Sequence, residues 1–290
     1  ILKTITKLRN FGQGFVTFGQ PIDLKHTLDC NAPDWHKSVT RGAEEPLRPN
    51  WLTPVVNGLA ERVMQGINDS AAANSVNLTA LALLSSEHHA LTKEELLAQL
   101  EVYLGVLKEV PYSTDISVPK ETPEELWQQA LRTDKFKVES DTMGEVISLE
   151  RMSAIAMTYY RNNILHMMVV PGIIASIIMA KKRVSVDEIV ERTQAIYPML
   201  KAELYLSHTA EDIPLWVEAL CEELARQQLI TREGSDCVIA KRESAQWYRL
   251  RLLANSASET LQRYCIVLEL LQQAQPIMRA ELEKQSITLA

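Results

Sequence analysis

A mainly α-helical fold with small β-hairpins, preceded by the last strand of an upstream α/β domain, is what this sequence predicts, on three observations. Apolar residues recur at helical spacing over most of the chain, behind recognisable N-terminal caps. Only 10 of the 290 residues are glycine, and two short β-type runs each flank a turn. The stretch from Leu8 to Ile22 reads as a helix end, a glycine turn, a short buried strand through Phe15-Val16-Thr17-Phe18, and a turn. One strand alone can neither cover both faces nor pair its backbone. Residues 1–22 are therefore expected to close an α/β domain lying before them, and the chain to be the C-terminal part of a larger protein.

The elements follow in order. Residues 23–53 carry Pro33, Pro46 and Pro49 with Trp35, His36 and Trp51 but little periodicity, and read as a connecting segment without a long helix. Residues 54–183 form a helical domain. Val55, Val56, Leu59, Val63 and Ile67 mark its first helix, and Val76, Leu78, Leu81 and Leu84 a second, strongly apolar one. Thr92-Lys93-Glu94-Glu95 is a capping box that opens a helix ending at Pro111. Thr122-Pro123-Glu124-Glu125 supplies an N-cap, a first-turn proline and a third-position Glu for another. Phe136-Lys137-Val138 and Glu145-Val146-Ile147-Ser148-Leu149 flank Asp141-Thr142-Met143-Gly144 as a hairpin, and helix resumes at Arg151.

Residues 184–290 form a second helical domain. Ser185-Val186-Asp187-Glu188 caps a helix, and another runs from Pro214 to about Gln228. A second hairpin joins Leu229-Ile230-Thr231 to Cys237-Val238-Ile239 around Gly234. Helices are then expected over 247–253, 258–273 and 276–284. No solenoid-type repeat is visible. The helix–helix–hairpin order over 185–239 resembles a winged-helix unit. A DNA-binding role is disfavoured, because residues 187–233 hold ten acidic and four basic side chains and phosphate repels such a surface.

Composition narrows the function. A net charge of −7 argues against nucleic acid as a partner. Cys30, Cys221, Cys237 and Cys265 form no C-x-x-C pair, so neither a zinc site nor a disulfide framework is signalled, and reduced thiols are expected. No metal and no cofactor is expected. The pairs Glu94/Glu95, Glu124/Glu125 and Glu222/Glu223 are assigned to capping and solvation, and His88-His89 to a water-facing link.

Five blocks carry a resemblance: Leu8–Ile22, Trp51-Leu52-Thr53-Pro54-Val55-Val56-Asn57, Val110-Pro111-Tyr112-Ser113-Thr114-Asp115, Thr158-Tyr159-Tyr160-Arg161-Asn162-Asn163-Ile164-Leu165-His166 and Tyr197-Pro198-Met199-Leu200-Lys201-Ala202-Glu203-Leu204. In this order, and spanning most of the chain, they resemble the C-terminal region of bacterial PlsB-type glycerol-3-phosphate acyltransferase. The resemblance implies a peripheral enzyme at the cytoplasmic face of the bacterial inner membrane, in phospholipid biosynthesis. Such an enzyme transfers an acyl chain from acyl carrier protein or coenzyme A to the 1-hydroxyl of glycerol 3-phosphate, giving lysophosphatidic acid. Membrane phospholipid is then a further partner. The family's chemistry uses H-x-x-x-x-D, its His acting as base. No His here has Asp five residues on: Asn31, Arg41, Lys93, Glu94, Pro171 and Ile213 occupy those positions. The catalytic centre is expected upstream of Ile1, and this chain alone is expected to be inactive. The rival reading is a non-enzymatic helical interaction or scaffold module.

Two groups of residues stand out. Asn162 to Ala180 carries no formal charge and is followed by Lys181-Lys182-Arg183. Pro171-Gly172 is expected to break it into two short helices of a buried core. The alternative is an interfacial or re-entrant element touching membrane through Ile164, Val169, Ile173 and Ile177, with Lys181, Lys182 and Arg183 near anionic headgroups. Tyr159, Asn162, Asn163 and His166 fall at spacings of three and four, so these four are expected on one helix face, with Arg161 on the same helix. There they would form a polar network at a domain interface, or place Arg161 or His166 beside the acyl-donor or phosphate entrance.

Overall fold

The structure, a computed structural model, describes residues 14–38, 48–142, 144–272 and 278–289. It is mainly helical with two small antiparallel sheets. Residues 14–22 carry no regular secondary structure and form no strand with any described partner, and they leave Val16 and Phe18 exposed. The strand expected at Phe15–Phe18 is thus not formed within the described residues, because no described neighbour supplies a ladder. Leu8–Gln13 lie outside them. The connecting segment holds a short helix, α1 (Leu24–Asn31), whose cap Asp23 accepts from the His26 N–H at 3.0 Å.

Helix α2 (Leu52–Asp69) precedes two units built alike. The first comprises α3 (Ser75–Leu84), β1 (Ala90–Thr92), α4 (Lys93–Glu109), α5 (Pro123–Leu131), β2 (Lys137–Asp141), β3 (Gly144–Ser148) and α6 (Arg151–Asn162). The second comprises α7 (Leu165–Lys181), β4 (Arg183–Ser185), α8 (Val186–Leu204), α9 (Ile213–Arg226), β5 (Ile230–Glu233), β6 (Asp236–Ile239) and α10 (Ala245–Asn255). The sheets have matching orders, β1-β3-β2 and β4-β6-β5. Leu91 pairs with Ile147 in one and Val184 with Cys237 in the other. In each unit the closing helix lies along the opening one, α6 on α3 and α10 on α7. The helix–helix–hairpin order read once over 185–239 is present in both units. Helices α11 (Ser258–Gln272) and α12 (Arg279–Leu289) follow.

Local chemistry repeats as well. Thr92 and Thr122 close full capping boxes with Glu95 and Glu125, and Ser185 accepts from the Glu188 N–H. Proline opens α5 and α9, where a missing N–H costs nothing. The opening helices α3 and α7 are buried all round, so each is the spine of its unit. One apolar core runs continuously from Ala73 to Ala257 across both.

Pro171 does not break α7, which continues from Leu165 to Lys181. The proline removes one backbone bond, and burial of the surrounding Met168, Val169, Ile173 and Ile174 holds the helix together. Gly172 beside it meets the α10–α11 junction: a Cβ there would lie 2.6 Å from Ser256 Oγ and 3.1 Å from the Ala257 nitrogen. The break falls earlier. Between α6 and α7 the chain turns by 96°, at Asn163 and Ile164. Among the described residues no single helix is long and apolar enough to cross a membrane; α6 and α7 reach that length and composition only when taken together across their bend.

Glu223 corrects the assignment of Glu222/Glu223 to solvation. It is buried, accepts from Arg226 Nε at 2.7 Å, and bonds Gln227. Gly105 of α4 makes room, since a Cβ there would sit 2.3 Å from Gln227 Nε2. His88 faces water as expected, whereas His89 is half-buried with Nδ1 enclosed, and both have left-handed φ, 56° and 53°.

Candidate functional site

Three of the sequence blocks meet where α2 ends. Tyr112 follows α4, His166 lies in the first turn of α7, and Tyr197 and Lys201 lie on α8. Asn68 and Asp69 at the end of α2, Ser207 and His208 after α8, and Trp216 on α9 complete the cluster. Tyr112, His166, Tyr197 and Trp216 are buried. The Tyr112 ring stands edge-on to His166 at 5.1 Å and to His208 at 5.3 Å, while His208 stacks on Trp216 at 4.1 Å.

Hydrogen bonds fix these groups. His166 Nε2 donates to the Asn68 carbonyl at 3.1 Å, which sets its tautomer. Asn68 Nδ2 donates to the Leu204 carbonyl at 2.7 Å and the Tyr205 carbonyl at 3.2 Å. Tyr112 Oη accepts from the Ser207 N–H at 2.8 Å and Ser207 Oγ at 3.1 Å. The Tyr197 hydroxyl and Lys201 Nζ both donate to the His208 carbonyl, at 2.9 and 2.8 Å. The loop after α8, with Tyr205 left-handed at φ 52°, is thereby held against α2 and Tyr112.

Burial dominates the electrostatics. Desolvation pushes the His166 imidazole down to about 4, only partly opposed by its bond to Asn68. His208 is lowered by the same cause, while the charges of Asp212 and Asp69 pull the other way. Burial raises the phenols of Tyr112 and Tyr197. His166 is therefore neutral at pH 7. The cluster contains no carboxylate bonded to a histidine and no nucleophile bonded to a base among the described residues. It can clamp α2 and orient a loop, but shows no acyl-transfer constellation. Asp69 Oδ1, His208 Nδ1 and Trp216 Nε1 are buried here without a partner among the described residues. No group of three or more His, Cys, Asp or Glu side chains in those residues could hold a metal.

The expected shared face of Tyr159, Asn162, Asn163 and His166, and the network joining it to Arg161, are corrected by the bend between α6 and α7. His166 turns into the cluster. Tyr159, Asn162 and Asn163 stay exposed on or just after α6. Arg161 bonds Asn162 Oδ1 at 3.0 Å and pairs with Glu259 at the start of α11, so it belongs to a separate contact. Spacing of three and four defines a face only while one helix continues.

The proposed membrane contact through α7 is likewise corrected. Ile164, Val169 and Ile173 are in the core, and Ile177 is partly buried against it. Lys181 pairs with Glu188 at 3.1 Å. Arg183 is in β4 and bonds Asp236 and Glu233, each at 2.7 Å. Lys182 alone of the seven is exposed and without an ion pair among the described residues. Apolar residues that the fold already buries cannot also face lipid.

Sequence reasoning quoted Tyr112, His166, Tyr197 and Lys201 but missed Asn68, His208 and Trp216. A usable signal was the recurrence of a Ser/Thr-x-x-Glu cap followed by a proline-initiated helix, at Thr92 with Pro123 and at Ser185 with Pro214. That recurrence marks the duplicated unit and so the seam where the cluster sits. In comparison with known families, the family described as the glycerol-3-phosphate acyltransferase C-terminal region matches residues 1–290.

Proposed function

The chain belongs to the glycerol-3-phosphate acyltransferase C-terminal family, and from that premise we propose that it serves acyl transfer to the 1-hydroxyl of glycerol 3-phosphate without supplying the catalytic groups. The donor is an acyl thioester of acyl carrier protein or coenzyme A, and the product is lysophosphatidic acid for phospholipid biosynthesis. The match over residues 1–290 is the observation that carries this reading. The absence of an H-x-x-x-x-D pair from the sequence supports a division of labour, with the base on an α/β catalytic domain and this helical region packed beside it. The enzyme acts as a peripheral protein at the cytoplasmic face of the inner membrane, held there by contacts other than the buried α7 run.

A scaffold reading draws on one observation. The outer face of α6 exposes Met152, Ile155 and Tyr159, spaced three and four apart, as a partner-binding stripe would. The two readings separate in one assay. Purified 1–290 with glycerol 3-phosphate and acyl donor should give no turnover, and addition of a family α/β catalytic domain should give turnover that depends on 1–290. Turnover by 1–290 alone would place a base within it. A catalytic domain indifferent to 1–290 would favour the scaffold.

A further inference from the structure

The second unit buries two thiols together. Cys221 on α9 and Cys237 on β6 are both enclosed, and the two thiols hydrogen-bond to each other. Packing alone does not require them, because the first unit fills the matching places of its sheet with apolar groups. Leu91 pairs with Ile147 as Val184 pairs with Cys237, so Ile147 holds the place of Cys237. Across the hairpin, Val138 pairs with Ile147 as Arg232 pairs with Cys237. Cross-strand partners project from the same face. Where one unit sets Ile beside Val, the other therefore sets a thiol beside a guanidinium.

That guanidinium is only half used. Arg232 Nη2 donates to Glu218 Oε1 at 3.0 Å, one turn before Cys221 on α9, while Nη1 is buried without a partner among the described residues. A buried donor on a cation calls for an anion, and the neighbouring thiols can each become one. Donation from the Cys221 S–H, helped by the charge of Arg232, holds the Cys237 thiol below its ordinary range against the cost of burial. The same bond, with burial, pushes Cys221 up. Glu218 and Asp236 oppose the thiolate, but each is already bonded to an arginine, Arg232 and Arg183. The pair also borders the surface. The side chains of Arg232 and Glu218 are 24% and 41% exposed, and β5 is the edge strand of its sheet. A small oxidant can therefore reach the sulfurs when the wing β5–β6 loosens, without global unfolding.

We propose that Cys237 and Cys221 are a redox-active dithiol that hydroperoxide oxidises to an intramolecular disulfide, with Arg232 positioning and stabilising the attacking thiolate. The Cys237 sulfur attacks one peroxide oxygen and the O–O bond breaks. The other oxygen leaves as hydroxide and takes up the proton that Cys237 gave up, so one water forms and Cys237 becomes a sulfenic acid. The Cys221 sulfur then attacks the Cys237 sulfur. The S–S bond forms, the S–O bond breaks, and the hydroxyl leaves as a second water with the Cys221 proton. Two electrons pass from the two thiols to the peroxide. The product staples α9 to the middle of the second sheet. The proposal rests on this cluster alone and not on the acyl-transfer reading.

The test uses 1–290 carrying Cys30→Ser and Cys265→Ser, which removes the two exposed thiols and leaves the buried pair. Hydrogen peroxide added to the folded chain should consume both remaining thiols together and lower the intact mass by two hydrogens, and dithiothreitol should restore them. Hydrogen exchange over β5 and β6 should slow by about tenfold in the oxidised chain. Arg232→Gln should slow the oxidation by about tenfold, and Arg232→Lys should recover part of the rate, which a merely structural role would not predict. In Cys221→Ala, Cys237 should gain oxygen instead of losing hydrogen. Thiols that stay reduced while the chain is folded, and oxidise only once denaturant opens it, would overturn the site. So would oxygen gained on either cysteine of the intact pair with no disulfide. A rate unchanged in Arg232→Gln would overturn the part given to the guanidinium. All of these outcomes leave the turnover assay above unaffected.

Discussion

His166 and Asn68 lie 98 residues apart and are joined by one hydrogen bond, 3.1 Å from the imidazole Nε2 to the backbone carbonyl. That bond links the spine of the second unit to the end of α2, which otherwise buries little of itself. Its donor is a histidine kept neutral by burial.

Stability should therefore fall in mild acid. The folded His166 titrates at about 4 against 6.5 when unfolded. Between those values the unfolded chain binds the extra proton, so its contribution is intact above pH 6.5 and drains as pH drops towards 4. The loss should be on the order of 2–3 kcal/mol, with His208 acting in the same direction. Denaturant unfolding at pH 7.5 and pH 4.5 measures it. His166→Leu should flatten most of that slope, and an unchanged slope would show that another group is responsible.

Asn68→Ala removes the side-chain bonds to the Leu204 and Tyr205 carbonyls but keeps the backbone carbonyl that His166 uses. The expected cost is about 1 kcal/mol. Hydrogen exchange should quicken over the last turn of α2 and over 204–207, and stay unchanged in α7. Equal acceleration in α7 would mean that α2 is not a separable element.

Gly172→Ala is expected to destabilise by about 1–3 kcal/mol. The new methyl would meet Ser256 Oγ at 2.6 Å and the backbone nitrogen of Ala257 at 3.1 Å, and a backbone atom cannot rotate away. Gly58, whose Cβ direction is open, is the control. Gly58→Ala on exposed α2 should be neutral or stabilising. Thermal melts of the two variants give the comparison directly.

Val169→Asp should abolish cooperative folding, with a cost above about 4 kcal/mol, because it places an unpaired charge in the core. Lys182→Gln should stay within about 0.5 kcal/mol of the parent. Circular dichroism without lipid decides between core and membrane roles. A folded Val169→Asp chain that merely lost vesicle binding would restore the lipid-facing role.

Legibility in the sequence tracked the range of the interactions. The caps at Thr92, Thr122 and Ser185 were readable because each joins a side chain to a backbone N–H three residues away. The hairpins β2–β3 and β5–β6 were readable because a turn separates their strands. Strands β1 and β4 were not: three residues show no period, and their partners lie far along the chain. The bend at Asn163–Ile164 carries no proline or glycine, so the sequence placed the break at Pro171 instead. Of the cluster, nothing local ties Tyr112 to His208 or Trp216. The duplication is concealed because the units share order and capping, not an obvious run of identical residues.

The pairing of each spine with the helix that closes its unit also sets a timetable for synthesis. Helix α3 waits for α6, and α7, the more apolar, waits for α10. A ribosome that has just released α7 still has the whole of β4 to β6 to make before the cover arrives. During that interval a strip including Val169, Ile173 and Ile174 stands bare, and such strips are what holdase chaperones and aggregating neighbours recognise. Slow codons or truncation between Lys181 and Ala245 should therefore cost far more soluble product than the same lesion after Asn255.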